Sequence, residues 1–329
     1  MKLLIITQVV DSQHPVLGFF HRWIEEFATR CEHVHVICLQ AGEYSFPQNV
    51  TVHSLGKESN SSRLQYVGRF YSLIWSLRRE YDSVFVHMNQ EYILLGGMLW
   101  RMLSKKILFW RNHYAGSFLT HWAAFFCDRI FYTSNNSYTR QFEQSVQMPI
   151  GIDPAVFFLK HSLRTKHSLL YVGRVARSKN IDLIIKALPE ILKSKPDTTL
   201  TVVGPLDDTE YVDQLQQLVK KNNLPVTFAG PVSWGTLPQI YSGHELCINM
   251  SPPGMFDKVI GEAILCGCDI LTTNTDLRDL LKERVIEESV QAVEAFVTDF
   301  SYSMETVSEI KHILEEQHSL QQLVKKVLI

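Results

Sequence analysis

Hydrophobic and polar positions follow two alternating periods along the chain. Apolar runs typical of buried strands, such as "LLIITQVV" and "SLLYVGRV", are followed by amphipathic stretches of helical period, such as "FFHRWIEEFATR" and "IDLIIKALPEILKSK". One such series fills the first half of the chain, and a second fills the other half. Because the strands are apolar throughout and joined by helices, the pattern predicts an α/β protein with two Rossmann-like, doubly wound parallel-sheet domains.

The boundary between these domains is predicted within "PIGIDPAVFFLKHSLRTKHS", where Pro149 and Gly151 interrupt the periodicity. We therefore expect the first domain at residues 1–155 and the second at residues 156–303. Residues 304–329 have helical periodicity with no strand after them, so we expect a separate closing helix there.

Composition and charge narrow the class of protein. With 46% hydrophobic and 20% charged residues, the 329-residue chain has the balance of a globular protein with a large core. A net charge of −2 does not indicate a nucleic-acid-binding protein. The charge is uneven, since residues 1–160 carry 15 basic and 12 acidic side chains. Such an excess is typical of solvated charge, and the alternative is weak peripheral contact of the first domain with an anionic membrane surface.

Cysteines and apolar runs bear on the location of the protein. The six cysteines show no paired spacing, which favours reduced thiols and a cytoplasmic protein, peripheral association at the inner face of a membrane being the alternative. No apolar run approaches the roughly 20 residues that a helix needs to cross a bilayer. No Asp-x-Asp motif follows a strand, so we expect no obligatory metal.

Ligands of parallel sheets bind at the carboxyl ends of the strands, so the loops there are candidate sites. In "YVGRVARSKN" a predicted strand ends at Gly173, and Arg174 and Lys179 precede a helix. Cations near a helix start, beside a glycine that permits close backbone approach, suit a diphosphate; solvated surface charge is the alternative. Weaker turn signals at two further strand ends are Gly204, Gly230 and Val232.

The stretch "GMFDKVIGEAILCG" places three charges in an apolar segment. Asp257 is predicted to be the N-cap of a short helix, which puts Lys258 and Glu262 at i and i+4 on one face. An exposed ion pair is one interpretation. The apolar neighbours and Gly261 favour the other, in which Glu262 accepts hydrogen bonds from sugar hydroxyls.

In order along the chain, "GIDPAVF", "YVGRVARSKNIDLIIKAL", "TLTVVGP" and "VTFAGPVSWGTLPQIYSGHELCINMSPPGMFDKVIGEAILCGCDILTTN" resemble the nucleotide-binding domain of family 4 retaining glycosyltransferases. The resemblance implies the GT-B architecture, two Rossmann-like domains facing a central cleft. It also implies transfer of a sugar from a nucleoside-diphosphate sugar to a glycan, lipid-linked or small-molecule acceptor. The donor is then a co-substrate, and no cofactor is implied.

The resemblance assigns roles to individual residues of the second half. Arg174 and Lys179 match the cations that hold the donor diphosphate and neutralise it as it leaves. Glu262 matches the second glutamate of the family's paired-glutamate motif, which binds the ribose hydroxyls. The first glutamate is replaced by Gly254.

Because of that replacement, other groups are expected to supply the sugar contacts. The candidates are the side chains of Asp257 and Lys258 and the backbone N–H groups of Met255 and Phe256.

The first half resembles the family less. Its usual glycine pair after the first strand is reduced to Gly18 in "HPVLGFFHRW", and His113 in "FWRNHYAGS" matches the acceptor-side histidine. A structural role for His113 is the alternative. By resemblance, the closing helix at residues 304–329 packs back on the first domain.

Three functions are consistent with these residues. The favoured one is a metal-independent glycosyltransferase. A sugar-nucleotide epimerase of the same architecture would need an acid/base set, which the sequence does not reveal. A non-catalytic sugar-nucleotide-binding protein is suggested by Gly254 and by the reduced glycine loop at Gly18. The base, the sugar and the acceptor are left open.

Overall fold

The computed structural model describes residues 1–160, 164–254 and 257–329. The chain forms two compact units, one of residues 1–151 with 320–329 and one of residues 152–319. Each unit contains one parallel sheet, which confirms the predicted fold class. No helix in the described parts of the chain is long and apolar enough to cross a membrane.

The strands follow the apolar runs of the sequence. In chain order they are β1 (Lys2–Val10), β2 (His33–Ala41), β3 (Val50–Ser54), β4 (Ser83–His87), β5 (Lys106–Trp110), β6 (Arg129–Tyr132), β7 (Ser145–Gln147), β8 (Ser168–Val172), β9 (Thr199–Val203), β10 (Val226–Gly230), β11 (Leu246–Asn249) and β12 (Asp269–Thr272).

The α-helices follow the amphipathic stretches. They are α1 (Phe19–Ala28), α2 (Arg63–Ser76), α3 (Gln90–Met102), α4 (Phe118–Phe126), α5 (Ile181–Ser194), α6 (Thr209–Lys221), α7 (Leu237–Ser242), α8 (Lys258–Leu265), α9 (Arg278–Leu281), α10 (Val290–Asp299), α11 (Met304–Gln317) and α12 (Leu320–Leu328).

The first sheet has the order β3-β2-β1-β4-β5-β6-β7. Its interior strand β1 is buried on both faces, as its apolar run predicts. Leu3 and Ile5 face the core formed with α1 and α12, whereas Leu4 and Ile6 face the core formed with α2, α3 and α4. Alternate residues of one strand therefore fill two layers of the unit.

The second sheet has the order β10-β9-β8-β11-β12. Helices α5, α6 and α10 share one hydrophobic core with this sheet. The strand order changes direction between β8 and β11, because β9 and β10 extend to one side and β12 to the other. In a parallel sheet such a switch point leaves a crevice at the carboxyl ends of the two strands.

The C-terminal segment differs from the expected single helix. Helix α11 packs on α8 within the second unit, while α12 packs against α1 within the first. The helices are separated at Ser319, which forms an isolated bridge with Ile152. The first unit ends at Gly151, and the second begins at Ile152.

Candidate functional site

The loops after β8 and β11 meet at the switch point of the second sheet. The two strands are hydrogen-bonded neighbours, with Leu246 opposite Leu169 and Cys247 opposite Leu170. Gly173 follows β8 directly, and Ser251 follows β11 after one residue. This edge is where a parallel sheet binds ligands, so the predicted donor residues lie at the expected position.

The glycines predicted at the strand ends are linked through their backbones. Gly173 N–H donates to Val203 O over 2.9 Å, and Gly204 N–H donates to Gly230 O over 2.9 Å. A Cβ atom at Gly204 would lie 1.9 Å from Gly173 O, and φ at Gly204 is 141°. Only glycine permits this approach. Gly204 therefore sets the position of the β8 loop.

A cluster of polar side chains surrounds Asp257 at the switch point. Asp257 Oδ2 accepts hydrogen bonds from Lys179 Nζ (2.8 Å), from Asn249 Nδ2 (3.0 Å) and from Ser251 Oγ. Lys179 Nζ also donates to Ser251 Oγ over 2.7 Å. Only 15% of the Lys179 side chain and 21% of the Asp257 side chain are exposed. The cluster thus fixes the position of the lysine ammonium group.

Electrostatics keeps Asp257 ionised in this cluster. Burial alone would raise the pKa of the carboxyl, but the charge of Lys179 and the hydrogen bonds from Lys179, Ser251 and Asn249 outweigh it and lower the pKa below the ordinary value. Asp257 occupies the N-cap position of α8, yet its side chain makes no capping hydrogen bond. The predicted N-cap position is confirmed, but the carboxylate binds Lys179 instead of the first turn of the helix.

Glu262 lies inside the second unit and is not part of an exposed ion pair. It is 5% exposed, and its Oε2 accepts a hydrogen bond from the Tyr241 hydroxyl over 3.2 Å. Burial raises the pKa of Glu262 above its ordinary value, against the opposing charge of Lys258. Burial also lowers the pKa of Lys258. One carboxylate oxygen of Glu262 thus joins α8 to α7.

The packing of Ile152 against α8 explains why this helix carries a glycine, Gly261, among apolar residues. A Cβ atom there would lie 1.7 Å from Ile152 Cδ1, so the helix backbone packs directly on that side chain. Close packing therefore requires glycine at this position.

Gly254, at the position of the family's first glutamate, has a conformation that favours glycine. Its φ is 102°, and its N–H donates to Asp276 Oδ2 over 2.9 Å. A glutamate at this position would strain the backbone. Met255 and Phe256 lie outside the described residues.

Arg174 and Val232 lie at the same edge of the second sheet. Arg174 is exposed, and among the described residues its side chain makes no hydrogen bond or ion pair with another side chain, in contrast to Lys179. Val232 follows β10 and is partly exposed. The structure therefore brings one predicted cation into a fixed cluster and leaves the other facing solvent.

His113 lies in the loop after β5, at the carboxyl edge of the first sheet. Its Nδ1 accepts a hydrogen bond from Ala115 N–H over 2.9 Å. Nδ1 also lies 3.2 Å from Ala115 O, so both contacts occupy this ring nitrogen and the backbone of Ala115 fixes the ring orientation. The same loop is fixed by Asn112 Oδ1, which accepts from the N–H groups of Thr133 (3.2 Å) and Ser134 (3.3 Å).

Gly18 precedes α1 and is buried. Its φ of −56° and ψ of −30° are helical, so its backbone conformation does not require glycine. Its N–H donates to His14 O over 2.9 Å within the loop after β1.

Three residues of the Asp257 and Glu262 surroundings were not identified from the sequence: Asn249, Ser251 and Tyr241. Asn249 and Ser251 carry a detectable signal, since "CINMS" places two polar residues at the end of an apolar strand. Tyr241 carries none, because its role depends on how α7 packs against α8.

Two models of glycosyltransferase families match the chain. The model described as "Glycosyl transferases group 1" matches residues 166–314, and the model described as "Glycosyl transferase 4-like" matches residues 10–116.

Two curated relatives match about half of the chain. The uncharacterized glycosyltransferase MJ1607 of Methanocaldococcus jannaschii is 24% identical over 171 residues, 49% of this chain. Spore coat protein SA of Bacillus subtilis is 26% identical over 169 residues, 50% of this chain. The matched part spans 43% of the length of each relative.

Solved structures match along the whole chain. HepE of Anabaena in complex with UDP and glucose has a TM-score of 0.77 at 16% identity, covering 100% of this chain and 98% of that one. Sucrose-phosphate synthase of Thermosynechococcus elongatus has a TM-score of 0.77 at 15% identity, covering 99% and 97%. At these identities the likeness shows the fold, which is that of two-domain GT-B glycosyltransferases.

Proposed function

The chain belongs to the group 1 glycosyltransferases, and from that premise we propose that it transfers a sugar from a nucleoside-diphosphate sugar to a hydroxyl group of a glycan, lipid-linked or small-molecule acceptor. The observation that carries this proposal is the lysine-centred cluster at the switch point of the second sheet. A bound UDP-glucose is recorded for the similar HepE protein, which supports the donor class.

Lys179 is the proposed principal cation for the donor diphosphate. Charge that develops on a leaving group is stabilised best by donors that are already in position, since nothing then has to reorganise during the reaction. Asp257 and Ser251 hold the Lys179 ammonium group in this way. Arg174, exposed beside the same strand end, supplies a second, mobile cation. These two charges let the reaction proceed without an obligatory metal.

The sugar and ribose contacts are assigned around α8. The Glu262 carboxylate, which accepts a hydrogen bond from the Tyr241 hydroxyl, is proposed to accept one from a ribose hydroxyl as well. Asp257, in place of the glutamate missing at Gly254, is proposed to hold Lys179 and to accept a sugar hydroxyl. Lys258 and the backbone N–H groups of Met255 and Phe256 complete the proposed donor contacts.

His113 is proposed to orient the reacting sugar from the first unit. Ala115 occupies Nδ1, so Nε2 is the ring nitrogen that is proposed to hydrogen-bond a sugar hydroxyl. Retention of the anomeric configuration, by attack on the face from which the diphosphate leaves, is part of the proposal.

A cytoplasmic location is proposed from the thiols. All six cysteines are free and buried, which is typical of reducing compartments. Peripheral contact of the first unit with a membrane is also proposed.

A non-catalytic sugar-nucleotide-binding protein is the second candidate. It is favoured by Asp257, which already neutralises Lys179. The experiment that separates the two candidates measures release of nucleoside diphosphate from a panel of nucleotide sugars, with and without acceptors. Release that depends on an acceptor supports the transferase. Binding of a nucleotide sugar without release in any combination supports the second candidate.

A further inference from the structure

Helices α2, α3 and α4 form one layer on the first sheet. Their inward side chains belong to a single hydrophobic core, which contains Phe70 of α2, Trp100 of α3 and Ala124 of α4. The helices also touch each other. Thr120 Oγ1 of α4 donates to Gln90 Oε1 of α3 over 2.8 Å, and the Tyr71 hydroxyl of α2 donates to the backbone of α3 over 2.8 Å. Their outward sides therefore form one continuous surface.

This outward surface is unusually apolar. Of the nineteen large hydrophobic side chains that are exposed among the described residues, nine lie on it, with exposures between 41% and 85%. We call these nine the apolar face: Leu64, Tyr71 and Trp75 of α2, Met98 and Met102 of α3, and Phe118, Leu119, Trp122 and Phe125 of α4. Helices α1 and α12, on the opposite side of the same sheet, contribute none.

Helix α4 has the strongest apolar character of the three. Phe118, Trp122 and Phe125 are spaced at i, i+4 and i+7, so they lie along one side of the helix. All three are more than half exposed. The rings of Phe118 and Trp122 touch at 6.0 Å between centroids, edge to face. Exposed apolar patches of this kind mark interaction surfaces.

The chain segment that contains the apolar face is basic. Residues 63–140 carry ten basic and four acidic side chains, a net charge of +6, while the whole chain has −2. Helices α2 and α4 contain no aspartate or glutamate. Arg63 is exposed on α2, and Lys106 is exposed just after α3. Arg101 stays 49% exposed although it pairs with Asp128. A partner that complements this surface has an apolar interior, which accepts the exposed aromatic side chains, and a negatively charged surface.

We propose that the apolar face binds the surface of an anionic phospholipid bilayer. Trp122, Phe118 and Phe125 would enter the boundary between headgroups and acyl chains, a depth that aromatic side chains prefer. Arginine and lysine side chains around the face would pair with the phosphates. The proposal gives the peripheral membrane contact of the proposed function a location, and it is tested without donor or acceptor, so it stands or falls separately from the reaction.

Co-sedimentation with vesicles tests the proposal. Vesicles of phosphatidylcholine are compared with vesicles containing about 30% phosphatidylglycerol, at low and at high salt. The protein is expected to bind the anionic vesicles and to be released by salt. The triple variant Phe118→Ser, Trp122→Ser, Phe125→Ser should bind at least about tenfold more weakly, because three aromatic side chains no longer leave water.

Matched variants test whether the loss of binding is specific to the apolar face and the basic residues near it. Tyr44→Ser with Ile329→Ser removes exposed apolar side chains of the same unit outside the face and should bind as wild type does. Arg63→Glu with Lys106→Glu should weaken binding, whereas Lys220→Glu with Lys221→Glu, on exposed positions of α6, should not. Brominated lipids should quench part of the tryptophan fluorescence, and a smaller quenched part in Trp122→Phe would support insertion of this side chain.

Three results would overturn the proposal. The first is a monomeric protein that binds no anionic vesicle at low salt. The second is equal loss of binding in the aromatic variant and in its Tyr44/Ile329 control. The third is an oligomer that the Phe118/Trp122/Phe125 variant converts to monomers, since the face would then bind a second copy of the chain.

Discussion

The carboxyl edges of the two sheets are built differently. At the second sheet, charged side chains bind one another, and Lys179 and Asp257 are both largely buried. At the first sheet, the polar side chains of the loop after β5 bind backbone groups, as His113 does with Ala115 and Asn112 with Thr133. The first arrangement holds a charge in a fixed position, and the second holds a loop. Under the proposed function, the first is a preorganised site for the donor diphosphate and the second positions a histidine for the sugar.

The largest effect is expected from Lys179→Ala. Loss of a fixed cation at a leaving group should lower kcat/KM about 10²- to 10³-fold, the usual cost of removing one preorganised electrostatic contact. The control is Lys186→Ala on α5, whose exposed ammonium group pairs with Asp182 at the surface. Steady-state kinetics checks both variants, and turnover of Lys179→Ala at the wild-type rate would reject the role of this lysine.

A smaller loss is expected from His113→Ala. Removal of the imidazole should reduce kcat about tenfold to a hundredfold with little change in nucleotide affinity, because the group is proposed to act on the sugar. His113→Asn offers a side-chain donor and should recover part of the rate. If kcat is unchanged in both variants, His113 has only a structural role in its loop.

Glu262→Ala should weaken nucleoside diphosphate binding by about 1–3 kcal/mol, the usual value of hydrogen bonds to a charged group. Tyr241→Phe is the matched control, since it removes the hydrogen bond between α7 and α8 but leaves the carboxylate. Calorimetry should show near-normal affinity for Tyr241→Phe. Equal affinity of Glu262→Ala and wild type would mean that Glu262 serves only to join the two helices.

The smallest effect concerns pH and Asp257. Because the pKa of Asp257 is lowered in the folded protein, its contribution to stability is present above the ordinary aspartate value and is lost as the pH falls through the folded value. The melting temperature of Asp257→Asn should therefore lie below that of wild type at neutral pH. This difference should begin to shrink below about pH 4 and close as the pH falls through the lowered pKa. A gap that persists unchanged in acid would contradict an ionised Asp257. The same variant should alter donor-sugar preference more than affinity for the free nucleotide.

The sequence predicts the fold and the location of the donor site, because strand periodicity and strand-end glycines are local signals. Gly204 was predicted at a turn, but its contact with Gly173 depends on the pairing of β8 with β9. The Asp257 cluster depends on strand order in the same way, since Lys179 and Asp257 follow different strands that become neighbours only in the sheet. Sequence reasoning therefore predicted a local partner for Asp257, the first turn of α8, and did not predict its contact with Lys179.

The apolar face illustrates a second limit of sequence patterns. The stretch "SFLTHWAAFF" is apolar on nearly every side, so its periodicity does not reveal which residues lie outward. Only the packing of Ala123 and Ala124 against the sheet identifies Phe118, Trp122 and Phe125 as exposed.

The central claim, that the second sheet carries a prebuilt diphosphate site, is tested most directly by calorimetric titration of nucleoside diphosphates into wild type, Lys179→Ala and Lys186→Ala. We predict that one nucleoside diphosphate binds wild type and Lys186→Ala with the same affinity. Binding to Lys179→Ala should be at least about tenfold weaker, which corresponds to about 1.4 kcal/mol. Equal affinity of all three proteins for that nucleotide would contradict the claim.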